Sequence, residues 1–549
     1  MIGREHSLTI PGVLSSRLAY IGLTLLLFGA ALLFRFELPL EPFIDSDVGG
    51  YLEPALRQLT HGHFLQVEGR NFVYPGFIYL VLRVFPDFRA AAIIQHLLGL
   101  AAGGVLLACW NCARTLIKGA IIPAGFYRLC GLPVAALFLF NTSVIRLEHL
   151  IRPEAIFPFF AALNMLFNIQ FIRYRYIELS YRASLVYGSA NLFNACLLFF
   201  LKPSFYLGVG FSTLPIWFSL LDRKEPFQRK LAMIGVPALC ISLFLLLPEK
   251  SIKAGDELSR TFLPTTLFVM HADIIRDQIS RDLRDDVKTP YEKQFLEQTE
   301  ALLAHEIELS KGTGRYRSLG FDPDYLMYED SFDQKFQALF KSQQGAEDRI
   351  KFYYYYFFRA WTNQPGRMLT KVLRQLSILY NNIGKASPYK HEIELVGGRN
   401  YLNNCVVLDG KKSLSEILYA PLADFSSKSR ELARVEPKLL QPGAVSWING
   451  ALLRTFSILI ILMSVLLVMV VRNPRLRESY RLFALTIALF YSYSFANSLG
   501  IAIVHSLEIT RYLTNQLIFC LLPQCMTLFL IAEIWGSWRG TGEAQMAPR

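Results

Sequence analysis

Ten side chains along this 549-residue chain are of types that can do chemistry together. Aspartates stand at Asp45 and Asp47 in "IDSDVGGYLEPALRQL", with Tyr51 four residues after the second. Arg70 and Tyr74 follow in "EGRNFVYPGF", Arg152 and Glu154 in "RLEHLIRPEAIFPFF", Lys202 in "FFLKPSFYLG", and Arg511 and Tyr512 in "HSLEITRYLTNQL". A carboxylate set among cations suits one kind of reaction. The carboxylate takes the proton of a hydroxyl as it attacks an anomeric carbon, while the cations hold a phosphate and stabilise it as it leaves. Two or three Arg or Lys side chains suffice to neutralise the phosphate, so no cofactor is required, and a divalent metal is compatible with the site. Asp45 and Asp47 are the two carboxylates the first cluster offers for that role.

The elements that must position these residues are membrane spans. Hydrophobic residues make up 53% of the chain and charged residues 18%, with a mean hydropathy of +0.32. That is too apolar for a soluble chain of this size. A span needs ~20 mainly apolar residues. Ten segments qualify, at about 18–35, 90–111, 129–145, 155–172, 184–201, 204–221, 231–248, 447–471, 482–504 and 513–535. No small-residue cleavage pattern follows the first, which reads as a retained helix and not a signal peptide. The expected fold is an all-α polytopic membrane protein of about ten transmembrane helices. Seven spans occupy 1–248, with a first outer loop at 36–89. A mainly helical extracytoplasmic domain takes 249–446, and three spans with a short cytoplasmic tail take 447–549.

Charge sets the orientation. With the N-terminus inside, the inner segments collect the basic residues, such as Arg223, Lys224, Arg229 and Lys230 in one and Arg472, Arg475, Arg477 and Arg481 in another, as the positive-inside rule requires. The net charge is +12, yet 249–446 holds 28 basic and 27 acidic residues, so +11 belongs to the membrane part. A nucleic-acid partner is unnecessary. This threading predicts a multi-pass plasma (bacterial inner) membrane protein with both termini cytoplasmic and the large domain periplasmic. Within that domain "DIIRDQISRDLRDDVKTPYEKQFLEQTEALLAHEIEL" has helical spacing. The segment "KFYYYYFFRAWTNQPGRMLTKVLRQLSILYNN" is amphipathic and expected on the membrane surface.

Seven of the eight cysteines lie in or beside spans and Cys405 is alone in the outer domain, so no disulfide is expected within it. The pairs Cys109/Cys112 and His61/His63 lack the further ligands of a metal site, and no metal is assigned. No phosphate loop, GxSxG or HExxH occurs, which removes ATPase, serine hydrolase and zinc protease readings.

In this threading the five clusters share one side of the membrane at a similar depth, with Arg146, Glu148 and Glu508 beside them. A single arginine at a helix end reaches for headgroups. Five clusters with carboxylates among them fit a cavity better. A lipid or solute transporter is the non-enzymatic alternative, though it would place polar groups near the midplane and show repeats.

The order of these motifs resembles the GT-C superfamily of membrane glycosyltransferases, which includes the protein O-mannosyltransferases and the lipid A aminoarabinose transferases. "DVGGYLEPALRQL" matches the family's first-loop pattern through Asp47 and Tyr51. Tyr74-Pro75 opens the next helix and Pro153-Glu154 the fourth span, while Lys202-Pro203 stands where Arg-Pro is usual. Arg511-Tyr512 has its proline at Pro523. The resemblance covers about 1–250 and 447–535. It implies an inverting hexosyl- or pentosyltransferase acting in cell-envelope glycan assembly. The sugar would pass from a polyprenyl-phosphate-linked donor to a hydroxyl of a glycan, lipid or protein acceptor, among membrane lipids. Asp47 would be catalytic, with Tyr51, Arg70, Tyr74, Arg152, Glu154, Lys202, Arg511 and Tyr512 binding substrate. Asp-Glu or Asp-Ser is usual at the catalytic position, and here Asp-Ser falls two residues early, at Asp45-Ser46, which keeps Asp45 in contention. An O-antigen-ligase-type enzyme using a lipid diphosphate is the enzymatic alternative. The block 249–446 matches no acceptor-binding pattern.

Overall fold

The computed structural model describes residues 17–546 apart from 65–68, 315–318, 330–331, 341–345, 382–391, 395–397, 411–413, 415–416, 505–508 and the positions 224, 255 and 436. The side chains of some further residues, Arg511 among them, also lie outside the description.

The chain is all-helical in its framework. Helix α1 (Arg17–Phe36) leads through a loop to two short helices, α2 (Val48–His61) and α3 (Val73–Val84). The membrane part continues with α4 (Arg89–Ala113), α5 (Ala124–Leu139), α6 (Thr142–His149), α7 (Phe157–Tyr176) and α8 (Tyr181–Leu201). Among the described residues seven helices are long and apolar enough to cross a membrane. Two bent pairs raise the number to nine: α5 with α6, at 52°, and Gly443–Arg454 with Phe456–Arg472, at 58°. Each of the ten expected segments is helical.

The α5–α6 bend has a local cause. The Asn141 side chain accepts the backbone N–H groups of Ser143 and Val144, and such a cap starts a new helix where the old one would have run on. The fourth expected span, 155–172, is α7, which fails the apolar criterion for a physical reason. Its Asn164 and Asn168 are fully buried and bond to Asn191, to the Ser212 carbonyl and to the Tyr493 hydroxyl. A helix enclosed by other helices needs no lipid-facing surface, and its amides join its neighbours.

The inserted block divides between two cores. Residues 267–368 share one, in which Phe268, Phe336, Phe352, Tyr353 and Tyr356 are buried together. The tyrosine-rich segment therefore differs from expectation. On the helix Ala346–Asn363 its aromatic face packs against Phe268 of Glu257–Met270 instead of lying on a membrane surface. An amphipathic face is equally satisfied by lipid or by another helix, and here a helix covers it. The following helix, Pro365–Asn381, joins the membrane part by packing Val372 and Leu376 with Ala502 of Pro474–Val504. Tyr401, Leu408, Phe425 and Leu439 are buried in the membrane part's own core. A short antiparallel ladder pairs Glu392–Glu394 with Lys438–Leu440.

Candidate functional site

Asp47 occupies the position just before α2, where a carboxylate commonly caps the helix. Its side chain makes no capping hydrogen bond. The local turn is closed by Asp45 instead, whose Oδ1 accepts the Asp47 N–H at 3.0 Å. That leaves the Asp47 carboxylate turned toward cations from two distant segments. Oδ1 accepts Arg70 Nη2 at 3.1 Å, and Oδ2 accepts Arg152 Nη2 at 2.5 Å.

Arg152 is the hub. Besides Asp47 it meets Asp45 Oδ2 through Nη1 at 2.7 Å and Glu154 Oε2 through Nε at 3.5 Å. Glu154 Oε1 in turn accepts Lys202 Nζ at 3.0 Å. The result is a chain of alternating charge, Arg70–Asp47–Arg152–Glu154–Lys202, with Asp45 attached at its centre. Its Asp47 end is partly open, with 29% of the side chain exposed, and its Lys202 end is nearly closed, at 7%. Aromatic rings flank both ends. The Arg70 guanidinium lies 4.9 Å from the Tyr51 ring centre, and Lys202 Nζ lies 4.8 Å from that of Tyr512, distances at which a cation is attracted to a ring face. Tyr51 meets Tyr74 edge-on at 5.4 Å. Burial and, next, the Glu154 charge push the Tyr51 hydroxyl above its usual range, and burial and Tyr51 do the same to Tyr74, so both remain neutral donors.

Three devices hold these groups in place. Gly50 on α2 leaves room for Arg70, since a Cβ there would lie 2.1 Å from Arg70 Nη1. The segment bearing Arg70 is clasped by the start of the inserted block: Glu249 Oε2 accepts the Phe72 N–H at 2.9 Å, Ser259 Oγ accepts the Gly69 N–H at 2.9 Å, and Lys253 Nζ donates to Asn71 Oδ1 at 2.7 Å. The third device lies beneath Arg152. The Phe43 N–H donates to the His149 carbonyl at 2.8 Å, and Gln95 Nε2 donates to the carbonyls of Glu148 and Leu150 at 2.7 and 3.1 Å. These bonds fix the extended segment that presents Arg152, and the Tyr74 hydroxyl donates to Gln95 Oε1 at 2.6 Å to tie in α3.

Under that segment lies a buried ionic group. Arg35 forks onto Glu148 at 2.8 and 3.0 Å, His96 Nδ1 meets the same carboxylate at 2.7 Å, and His96 Nε2 meets His149 Nε2 at 2.9 Å. All four side chains are essentially inaccessible. Glu148, expected beside Arg152 and Glu154 in one cluster, belongs to this inner group, and Arg146 is exposed. Sequence reasoning passed over Arg35, Gln95 and His96. Their signal was a polar residue inside an apolar helix, in "ALLFRF" and "AAIIQHLLGL".

Of the expected site residues, Asp45, Asp47, Tyr51, Arg70, Tyr74, Arg152, Glu154, Lys202 and Tyr512 come together. Arg511 falls within the helix Ile509–Met546, with its side chain outside the described residues. Among the described residues no group of three or more His, Cys, Asp and Glu converges in the manner of a metal site. A cavity of about 720 Å³ bounded by Asp409, Leu414 and Arg430 is separate from this cluster.

No family model and no curated protein matches the chain. Among solved structures it is similar to the crystal structure of ArnT from Cupriavidus metallidurans bound to undecaprenyl phosphate. The sequences are 12% identical, with a TM-score of 0.32, and the match covers 91% of this chain and 78% of that one.

Proposed function

We propose that this chain is an integral-membrane glycosyltransferase that moves a hexosyl or pentosyl group from a polyprenyl-phosphate donor to an acceptor hydroxyl, on the extracytoplasmic side and with inversion. The observation that carries the reading is the alternating chain Arg70–Asp47–Arg152–Glu154–Lys202, assembled from four separate segments at one place. Such a chain offers a proton acceptor beside phosphate-binding cations.

In the proposed reaction the acceptor oxygen attacks the anomeric carbon and passes its proton to a carboxylate oxygen of Asp47. The bond from that carbon to the phosphate oxygen breaks, and the electron pair leaves on the phosphate. Arg70, Arg152, Lys202 and Arg511 stabilise the developing charge. Tyr51, Tyr74 and Tyr512 flank the cations and orient donor and sugar. Glu154 sets the position of Arg152 and Lys202.

The test is direct. Purified protein in detergent, given a synthetic polyprenyl-phosphate sugar and an envelope extract as acceptor source, should release polyprenyl phosphate and form a glycosylated product. A deletion strain should accumulate the unused lipid-linked sugar and lack one residue on a surface glycan. If lipid-linked and surface glycans of the deletion strain matched the parent's by mass spectrometry, the reading would fall.

A further inference from the structure

A second charged site lies in the inserted block, away from Asp47. Between the helices Pro365–Asn381 and Ala272–Arg284 is a cavity of about 300 Å³, with Asp273, Arg367, Thr370, Lys371 and Arg374 in its wall. The spacing of 367, 370, 371 and 374 places the last four on one face of a helix. Lys371 is 7% exposed, and its Nζ has no hydrogen-bond partner in the protein. One turn further on, Gln375 is fully buried with neither amide atom bonded. His271 is fully buried as well, its Nδ1 on the Leu267 carbonyl and its Nε2 without a partner.

A buried ammonium with no hydrogen-bonded partner is costly, and so is each unmet amide; the Asp273 charge in the same wall offsets part of that cost, and its Oδ1 is also buried without a hydrogen bond. The arrangement therefore calls for a ligand, and its charge says which kind. Three basic side chains, Arg367, Lys371 and Arg374, line the cavity with one acidic one, Asp273. Asp277 already accepts Arg276 at 2.6 Å and Arg367 at 2.8 Å. The helix Ala272–Arg284 also begins at the cavity wall with no side-chain cap, directing the positive end of its dipole there. A cation would meet a surplus of positive charge. An anion would meet three basic groups and a helix start, against the single carboxylate of Asp273 in that helix's first turn.

We propose that this cavity binds a tetrahedral oxyanion, a phosphate or sulfate group carried by a small molecule or a headgroup. The inference is independent of the glycosyltransferase reading. Burial pushes the Lys371 amine down to about 7, with the Asp273 charge opposing. His271 is pushed well below its usual range by burial and by Lys371, so it stays neutral near pH 7. An anion that favours the charged amine takes up a proton on binding, so affinity falls as pH rises through 7. Sulfate remains a dianion across that window and isolates the effect.

The full chain in detergent would be titrated with sodium sulfate, and with chloride at matched ionic strength, while its melting temperature is followed. Sulfate should raise the melting temperature saturably, with at least threefold tighter binding at pH 6 than at pH 8. Lys371→Met should weaken sulfate binding at least tenfold without lowering the melting temperature in sulfate-free buffer, because Met fills the space without burying an amine. Arg374→Gln, at an exposed position, should weaken it severalfold in a folded protein. In the unmodified chain sulfate should slow acylation of Lys371 at least threefold, which requires no variant. Glycerol 3-phosphate tighter than sulfate supports the site with a headgroup as its source, and the opposite order supports it with a free inorganic anion. No response beyond chloride, an undiminished response in Lys371→Met, or unprotected Lys371 overturns the proposal.

Discussion

Arg152 reaches across 105 positions of sequence to set its Nη2 2.5 Å from Asp47 Oδ2. The same guanidinium holds Asp45 at 2.7 Å, yet the two aspartates differ in what else they do. Asp45 spends an oxygen on the turn that precedes α2, and Asp47 spends both on cations.

That difference separates the two candidate bases. Asn accepts an N–H as well as Asp does, so Asp45→Asn should keep the turn and retain at least about a tenth of the transfer rate. Asp47→Asn should express normally, retain donor binding and lose at least about a hundredfold in rate, the range of a lost general base. Single-turnover transfer with both variants decides the point. The reverse pattern moves the base to Asp45.

Gly50→Ala tests the space that admits Arg70. A methyl group 2.1 Å from Nη1 has to displace the guanidinium. Since the far end of a flexible side chain moves at small cost, the melting temperature should change by no more than a few degrees. Transfer should fall about 10- to 150-fold, as for loss of a charge-assisted contact worth ~1.5–3 kcal/mol. Unchanged kinetics would remove Arg70 from the donor site.

Lys202 and Glu154 are both nearly inaccessible, and breaking such a pair from one side costs about 3–5 kcal/mol. Lys202→Met should therefore destabilise the protein, and Glu154→Gln added to it should recover part of the loss. A double-mutant cycle on denaturation in detergent measures the coupling. If Lys202→Met lowers donor binding in a protein made stable by the second change, Lys202 contacts substrate as well.

Arg35→Leu should be more damaging than any change at the exposed end of the cluster. It strands Glu148 beside His96 with almost no solvent, at a cost of about 3–5 kcal/mol. Gly99→Ala places a Cβ 1.9 Å from Glu148 Oε1 and should disturb the same group from the other side. Yield and melting temperature report both, and normal stability in both variants would show that the inner group is not a structural support.

Orientation is open to labelling. A cysteine introduced near Gly314 should react with a membrane-impermeant thiol reagent in intact cells, and one near Pro226 should not. The opposite result would turn the Asp47 cluster toward the cytoplasm.

The sequence made the helices and most of the cluster legible because both leave local marks. Apolar runs of span length declare themselves, and the short motifs around Asp47, Arg152 and Lys202 each place an ionisable residue at a helix boundary. Span count was less secure where tertiary context intervened. α7 is polar because it is enclosed, and the Asn141 cap breaks a run that reads as continuous. The aromatic face of Ala346–Asn363 found a protein partner that no local pattern names. Pairings such as Arg35 with Glu148, 113 positions apart, were invisible for the same reason. Asp47 looked like a helix cap by position, and only the three-dimensional arrangement shows Asp45 closing that turn.

On the proposed mechanism the alternating order of charge along Arg70–Asp47–Arg152–Glu154–Lys202 would work as an interlock. Each cation already holds a carboxylate, so an incoming phosphate ester would compete with that carboxylate for it. On the proposed mechanism the carboxylate it releases at the open end is the base itself. Donor arrival and arming of the base then become one event, and an acceptor that arrives first finds the base still latched between two guanidinium groups.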